Sequence, residues 1–260
     1  MADGIEVRGV SLEYLTGARP VLAVKDASFK VAPSEFLCIV GPSGCGKTTI
    51  LNMLAGFLTP TRGDILIGGK PLAEANPNRG VVFQDFAQLF PWRTALANVE
   101  FGLEMRGVPK AERRAASLEF LRLVGLENFA QVYPHQLSGG MQQRVAIARA
   151  LSYNPGVLLM DEPFAALDAM TREDMQSLVA GVWEATKKTI VYITHNVAEA
   201  VYLGDTVIVM AAHPGTIREE MRINLPRPRD PLSDEFIAAQ RRVLASLGER
   251  KSRNRAEAAE

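Results

Sequence analysis

The 260-residue sequence has no excess of either charge, almost no cysteine and no long apolar run, and each lack narrows its class. Lys plus Arg and Asp plus Glu number 29 each, so no net field draws the chain to nucleic acid or anionic lipid, and any charged partner is met locally. Two cysteines, Cys38 and Cys45, are too few for a disulfide framework at this size and point to reduced thiols. No apolar stretch approaches the roughly 20 residues of a membrane-crossing helix; clean ones, such as Phe36 to Val40, have strand length. The amino terminus, MADGIEVRG, carries acids early and lacks a basic segment ahead of an apolar core, so it does not read as a secretion signal, and a cytosolic location is expected. With no internal repeat or low-complexity tract, each motif below occurs once. At 47% hydrophobic residues, there is ample material for a large core in one or two compact domains.

Four apolar runs without polar alternation, Phe36 to Val40, Val157 to Met160, Ile190 to Ile193 and Val207 to Met210, have the pattern of strands buried on both faces. Helical patterns lie between them, at Lys47 to Ala55, stopped by Gly56, and at Met170 to Thr186, so the core reads as a parallel sheet flanked by helices. Ile5 to Val10 and Val21 to Val31 are strand-like with no helix between them. With a hairpin turn at Gly68-Gly69, they form an antiparallel β layer. From Gln84 to Asn154 buried strands disappear and helical periodicity takes over, as in Ala111, Ala115, Leu118 and Leu121 after Pro109. The expected fold class is α/β: a P-loop NTPase parallel core sheet with an antiparallel β layer and an inserted α-helical subdomain at about residues 85–155. Residues 1–225 make the nucleotide-binding domain. Residues 226–260 are expected to hold a breaker-rich linker (PRPRDP), a short amphipathic helix and a disordered tail.

Strand Phe36 to Val40 runs into GPSGCGKTT, the G-x-x-x-x-G-K-[ST] pattern of a phosphate-binding loop. Gly41, Pro42, Ser43, Gly44, Cys45, Gly46, Lys47, Thr48 and Thr49 form the expected cradle. Glycines let backbone N–H groups turn inward, and the following helix adds the positive end of its dipole. Lys47 reaches the β and γ phosphates, and the Thr48 hydroxyl is a ligand for Mg²⁺. Cys45, beside a helix start, sits where a thiol pKa can fall. It reads as a small loop-filling residue without a catalytic role, yet its alkylation is expected to block nucleotide binding unless ATP is present. Val157 to Met160 ends in Asp161-Glu162-Pro163 at the carboxyl edge of the sheet, where ligands bind in such folds. Asp161 is placed to hold Mg²⁺, and Glu162 to orient or deprotonate the attacking water. Ile190 to Ile193 ends in Thr194-His195, so His195 converges on the same edge.

Between these motifs lies LSGGMQQR, Leu137 to Arg144, opening a helix that continues as VAIARAL. Ser138, Gly139 and Gly140 make a second helix-start anion site. Together these motifs resemble the ATP-binding cassette (ABC) transporter ATPase family over residues Ile5 to Asn224. The resemblance implies that Gln84 senses Mg²⁺ and the γ phosphate, His195 contacts the γ phosphate, Asp168 faces a partner subunit and Tyr14 stacks on adenine. The signature's fifth position, often glutamine in this family, is Met141. The family's signature completes the phosphate site of an opposed subunit. The implied partners are therefore a second copy in a head-to-tail homodimer, or a homologous ABC subunit, and integral membrane permease subunits at the cytoplasmic face of the membrane. A solute-binding protein follows indirectly. QLFPWRTALANVEFGLEMRG, YPHQLSGGMQQR and DEPFAALDAMTR are similar to importers of the nitrate, sulfonate, taurine and bicarbonate group. Phe90-Pro91-Trp92 reads equally as a groove for the permease's coupling helix or as a buried aromatic anchor. The competing readings are an ABC ATPase of an exporter or lipid-trafficking system, a P-loop kinase, and a non-transport ABC ATPase acting on nucleic acid. The kinase leaves LSGG and His195 without purpose. The last needs a long coiled coil and a basic track, and this sequence has neither, so no nucleic-acid partner is expected.

Overall fold

The computed structural model describes residues 2–16, 19–72, 78–84 and 88–257. An antiparallel layer forms from β1 (Ile5–Thr16), β2 (Arg19–Val31), β4 (Arg62–Ile67) and β5 (Lys70–Pro71), in the order β2-β1-β4-β5. The turn between β4 and β5 is Gly68-Gly69, both in the left-handed region. The second sheet runs β10-β9-β3-β8-β7-β6, from β3 (Phe36–Val40), β6 (Arg79–Val82), β7 (Val157–Asp161), β8 (Thr189–Thr194), β9 (Thr206–Ala211) and β10 (Thr216–Arg222). All neighbours in it are parallel except β10, which pairs antiparallel with β9 at one edge.

Side chains leave β3 alternately toward two cores, which is why its sequence shows no polar alternation. Phe36, Cys38 and Val40 join one cluster; Leu37 and Ile39 join the other, shared with the β layer and α1 (Lys47–Ala55). Fully burying an aliphatic side chain is worth about 1.5–3 kcal/mol, so a strand buried on both faces anchors what its end presents. α1 stops as its sequence predicts, with Gly56 left-handed and donating its N–H to Met53 O at 3.0 Å.

Between β6 and β7 lie α2 (Ala95–Met105), α3 (Lys110–Leu123), two 3₁₀ turns at Glu127–Phe129 and Pro134–Gln136, and α4 (Gly139–Ser152). α5 (Ala169–Thr186) follows β7, α6 (Val197–Leu203) follows β8, and α7 (Asp234–Glu257) closes the described chain.

One expectation for the carboxyl-terminal segment is corrected, that of a disordered tail. The PRPRDP linker is irregular but packed. Arg229 is buried and donates to the carbonyls of Val201 (2.6 Å), Gly204 (2.6 Å) and Ile223 (3.2 Å), while Arg227 bonds Asp205 and lies over the Trp183 ring. The prolines remove donors, but the arginines between them satisfy the carbonyl end of α6. The tail expected to be disordered continues α7 to Glu257, because Arg, Ala, Lys and Glu are good helix formers and no breaker interrupts them. Residues 258–260 lie outside the described ones.

Candidate functional site

β3 delivers the chain to residues 41–46, and Gly46 turns it into α1 with φ 92. A Cβ there would meet Val24 Cγ2 at 2.8 Å, so both backbone shape and space require glycine. Lys47, almost fully buried, donates to Gly41 O (2.9 Å) and Pro42 O (3.2 Å) and stands 3.7 Å from Glu162 Oε1. Its charge is thus fixed at the loop mouth. Tyr14 lies beside the same helix, with its hydroxyl 3.3 Å from Thr49 Oγ1 and its side chain partly exposed.

The expected lowering of the Cys45 thiol pKa, and with it the expected alkylation, is corrected. Cys45 is fully buried, and burial pushes its thiol up rather than down, outweighing the nearby Lys47 charge. Its side chain belongs to the buried cluster that also holds Val24, Ile50 and Leu51, so the thiol is shielded from the reagents expected to modify it.

β7 ends with Asp161, and the Thr48 hydroxyl donates to Asp161 Oδ1 at 3.3 Å. Burial, ahead of all other causes, holds the Asp161 carboxyl above its ordinary value; the Thr48 bond and Lys47 oppose this. Glu162 leaves the strand in the left-handed region, φ 42, its N–H bonded to Ile193 O at 3.0 Å. The Glu162 carboxylate meets other groups than that of Asp161 does. Its Oε2 lies 2.8 Å from His195 Nδ1, and the histidine side chain is 60% exposed against 19% for the glutamate. The pair therefore has a buried end at β7 and an open end at the surface.

The structure thus brings together Lys47, Thr48, Asp161, Glu162 and His195. Gln84 follows β6 and is exposed; among the described residues it makes no hydrogen bond to Thr48 or Asp161. Ser138 caps α4, accepting from Met141 N at 3.3 Å, and is exposed. Among the described residues no hydrogen bond or ion pair joins the Ser138–Gly140 turn to the phosphate loop of its own chain. Asp168 caps α5 through Thr171 N (3.0 Å); the Thr171 side chain first, and this cap after it, lower its carboxyl pKa, and it too is exposed. The two turns adjoin, since a Cβ on Gly140 would lie 2.8 Å from Thr171 Cγ2.

Phe90 and Trp92 divide the two readings of their stretch. Phe90 packs edge-on to Phe101 at 4.6 Å, and its backbone is pinned by the buried Asn98, whereas Trp92 is 72% exposed. Phe57, Val81, Phe90, Phe101, Met105 and Tyr153 are among the residues lining a groove of about 600 Å³ between the sheet and the helical segment.

Sequence reasoning missed Arg172 and Glu199. Glu199 is buried, accepting from Thr194 Oγ1 (2.7 Å) and Tyr192 OH (3.1 Å), with Arg172 Nε 3.7 Å away. The only signal was an acid placed on an otherwise apolar short helix, four residues after His195.

A family model described as ABC transporter matches residues 24–165. An uncharacterized ABC transporter ATP-binding protein of Methanocaldococcus jannaschii is 51% identical over 94% of this chain and 91% of its own length. The taurine import ATP-binding protein TauB of Pseudomonas entomophila is 48% identical, covering 94% of this chain and 96% of that one. Among solved structures, a dimeric bacterial ABC transporter cassette superposes with TM-score 0.75 at 36% identity, over 85% of this chain and all of that one. A dimeric cassette in a post-hydrolysis state, bound to ADP and Pi, matches with TM-score 0.75 at 35% identity over the same shares.

Proposed function

We propose that this chain, which belongs to the ABC transporter family and is an ATP-hydrolysing cassette of it, powers import of a small anionic solute by closing as a head-to-tail pair on ATP. The observation that carries this reading is Glu162, held between Lys47 and His195 at the mouth of the phosphate loop, while among the described residues the Ser138 turn makes no bond to that loop. A site so divided is completed by an opposed copy, or by a homologous subunit, whose Ser138, Gly139 and Gly140 cap the phosphates. Tyr14 offers its ring to adenine from beside α1, and Asp168 faces the opposed subunit.

In this reading the backbone N–H groups from Gly41 to Thr49 cradle the phosphates, and the Lys47 ammonium shifts from two loop carbonyls onto the β and γ oxygens. Thr48 and Asp161 fit Mg²⁺: two hard oxygen donors side by side, with phosphate and water to complete the shell, is the arrangement this ion favours over a full protein cage. Mg²⁺ would neutralise charge on the phosphate oxygens, and Gln84 follows β6 as the outer contact to it. His195 fixes one Glu162 oxygen and leaves the other to accept a proton from water. The water oxygen bonds to the γ phosphorus as the bond to ADP breaks.

The groove beside Phe90, with Trp92 exposed at its neighbourhood, suits a helix of an integral membrane permease. Among the described residues no helix is long and apolar enough to cross a membrane, so this contact would hold the cassette peripherally at the cytoplasmic face. The similarity to taurine import proteins supports a sulfonate or another small anion as cargo, delivered to the permease by a solute-binding protein. Glu162→Gln tests the catalytic core of the reading. It should bind ATP as the wild type does, lose about 10²-fold or more in turnover, and run as an ATP-dependent dimer by light scattering. Normal turnover would remove Glu162 from its role.

A further inference from the structure

A buried acid on an apolar helix is costly unless it is partnered, and the partners of Glu199 lead in two directions. Toward the site, its Oε2 accepts from the hydroxyl of Thr194, the residue before His195; the same hydroxyl accepts from the N–H of Asn196, the residue after it, at 2.9 Å. The backbone on both sides of His195 is therefore fixed to one carboxylate. Away from the site, Glu199 Oε1 faces Arg172, which donates to Leu167 O (2.7 Å) and Phe164 O (3.5 Å), the carbonyls leading into Asp168. These groups, with Glu162 and His195, enclose a polar cavity of about 20 Å³, roughly the room of one water.

We infer that Glu199 and Arg172 are positioning residues that hold His195 on Glu162 and tie that pair to the Leu167-Asp168 turn. The inference rests on the roles proposed for Glu162 and His195. An opposed subunit pressing on Asp168 moves the Leu167 carbonyl, Arg172 follows it, and Glu199 transmits the shift to Thr194 and the imidazole. Neither residue belongs to the phosphate loop or to the Thr48–Asp161 pair. Removing one should thus impair turnover and leave ATP binding intact.

The test is steady-state ATPase and ATP binding by the full chain carrying Thr194→Val or Glu199→Ala, each alone and together with His195→Ala, plus Arg172→Ala and Arg172→Lys. Thr194→Val deletes only the hydroxyl link and keeps the side-chain volume, so it answers even where Glu199→Ala fails to fold. The expected result is a fall in kcat of about tenfold or more from misplacement of the pair, with KM and Kd for ATP within about twofold of wild type. On the His195→Ala background the same changes should cost nothing further, and Arg172→Lys should recover most of what Arg172→Ala loses. Unchanged kcat, KM rising in step with lost kcat, or losses that multiply with His195→Ala would overturn the inference. Glu162→Gln run alongside separates the two levels. Normal turnover there defeats the catalytic reading itself, whereas a stalled Glu162→Gln with multiplying losses elsewhere defeats only the positioning role.

Discussion

A glutamate ending a buried strand has no intrinsic reason to enter the left-handed region, which costs a non-glycine residue about 1–2 kcal/mol. Glu162 does so, and its carboxylate has other partners than that of Asp161: one goes to Thr48, the other to Lys47 and His195. Adjacent acids at a strand end thus acquire different partners, in keeping with the alternation of side chains along a strand. The cysteines illustrate the opposite outcome, where position in the chain is misleading. Cys45 stands next to a helix start and Cys38 within β3, yet both are fully buried, and burial raises both thiols, Cys38 the further. Only the thiolate reacts, so neither should be modified in the folded protein near neutral pH. An aromatic disulfide reagent should titrate almost no thiol in the native chain and both cysteines once it is unfolded; rapid native labelling of Cys45 would contradict its burial.

Among the elements, α4 and α5 meet where Gly140 faces Thr171, with no space for a methyl group. Gly140→Ala should push the start of α4 off α5 and cost about 1–3 kcal/mol, the usual penalty for overpacking. Adding Thr171→Ser, which deletes the opposing methyl, should restore the melting temperature. An unchanged Gly140→Ala would show that the contact yields freely. At the other end of the chain, Arg229 carries the carbonyl terminus of α6 and the strand exit at Ile223. Burial lowers its guanidinium pKa to about 10, still well above neutral pH, so the side chain stays charged where it makes these bonds. Arg229→Met should lower stability by roughly 3 kcal/mol, since buried carbonyls lose charged donors, and urea unfolding measures it. Most elements were legible because their cause is local: both-face burial marks β3, β7, β8 and β9, and Gly56 and Pro109 bound their helices. β10 was not, because an edge strand reading TIREEMR buries only Met221 well and looks polar. α6 escaped as well; seven residues hold too little periodicity to read.

For the whole molecule, the decisive feature is that Pro42 to Gly44 of the phosphate loop and Ser138 of the glycine turn are exposed, and the two turns are unbonded to each other among the described residues. If two chains share each site, the hydrolysis rate per chain should rise with protein concentration and level off as pairs form. Ser138→Arg, placing bulk and a side chain of wrong shape on the turn, should keep the rate low at every concentration while leaving ATP binding by the single chain intact. A rate per chain independent of concentration down to nanomolar levels, with Ser138→Arg fully active, would argue for a self-sufficient subunit. The sequence by itself determined which groups are present and their local settings: a phosphate loop after a buried strand, two acids at a strand end, a capped glycine turn before a helix. These follow from residue spacing, strand burial and helix capping, which act over a few positions. Only the tertiary structure decided that Glu162 meets His195, that Cys45 turns inward, that the proline-rich segment is a clamp, and that Arg172 and Glu199 stand behind the pair. Those outcomes depend on which strands lie side by side in the sheet, and strand order is set by packing among residues far apart in the chain.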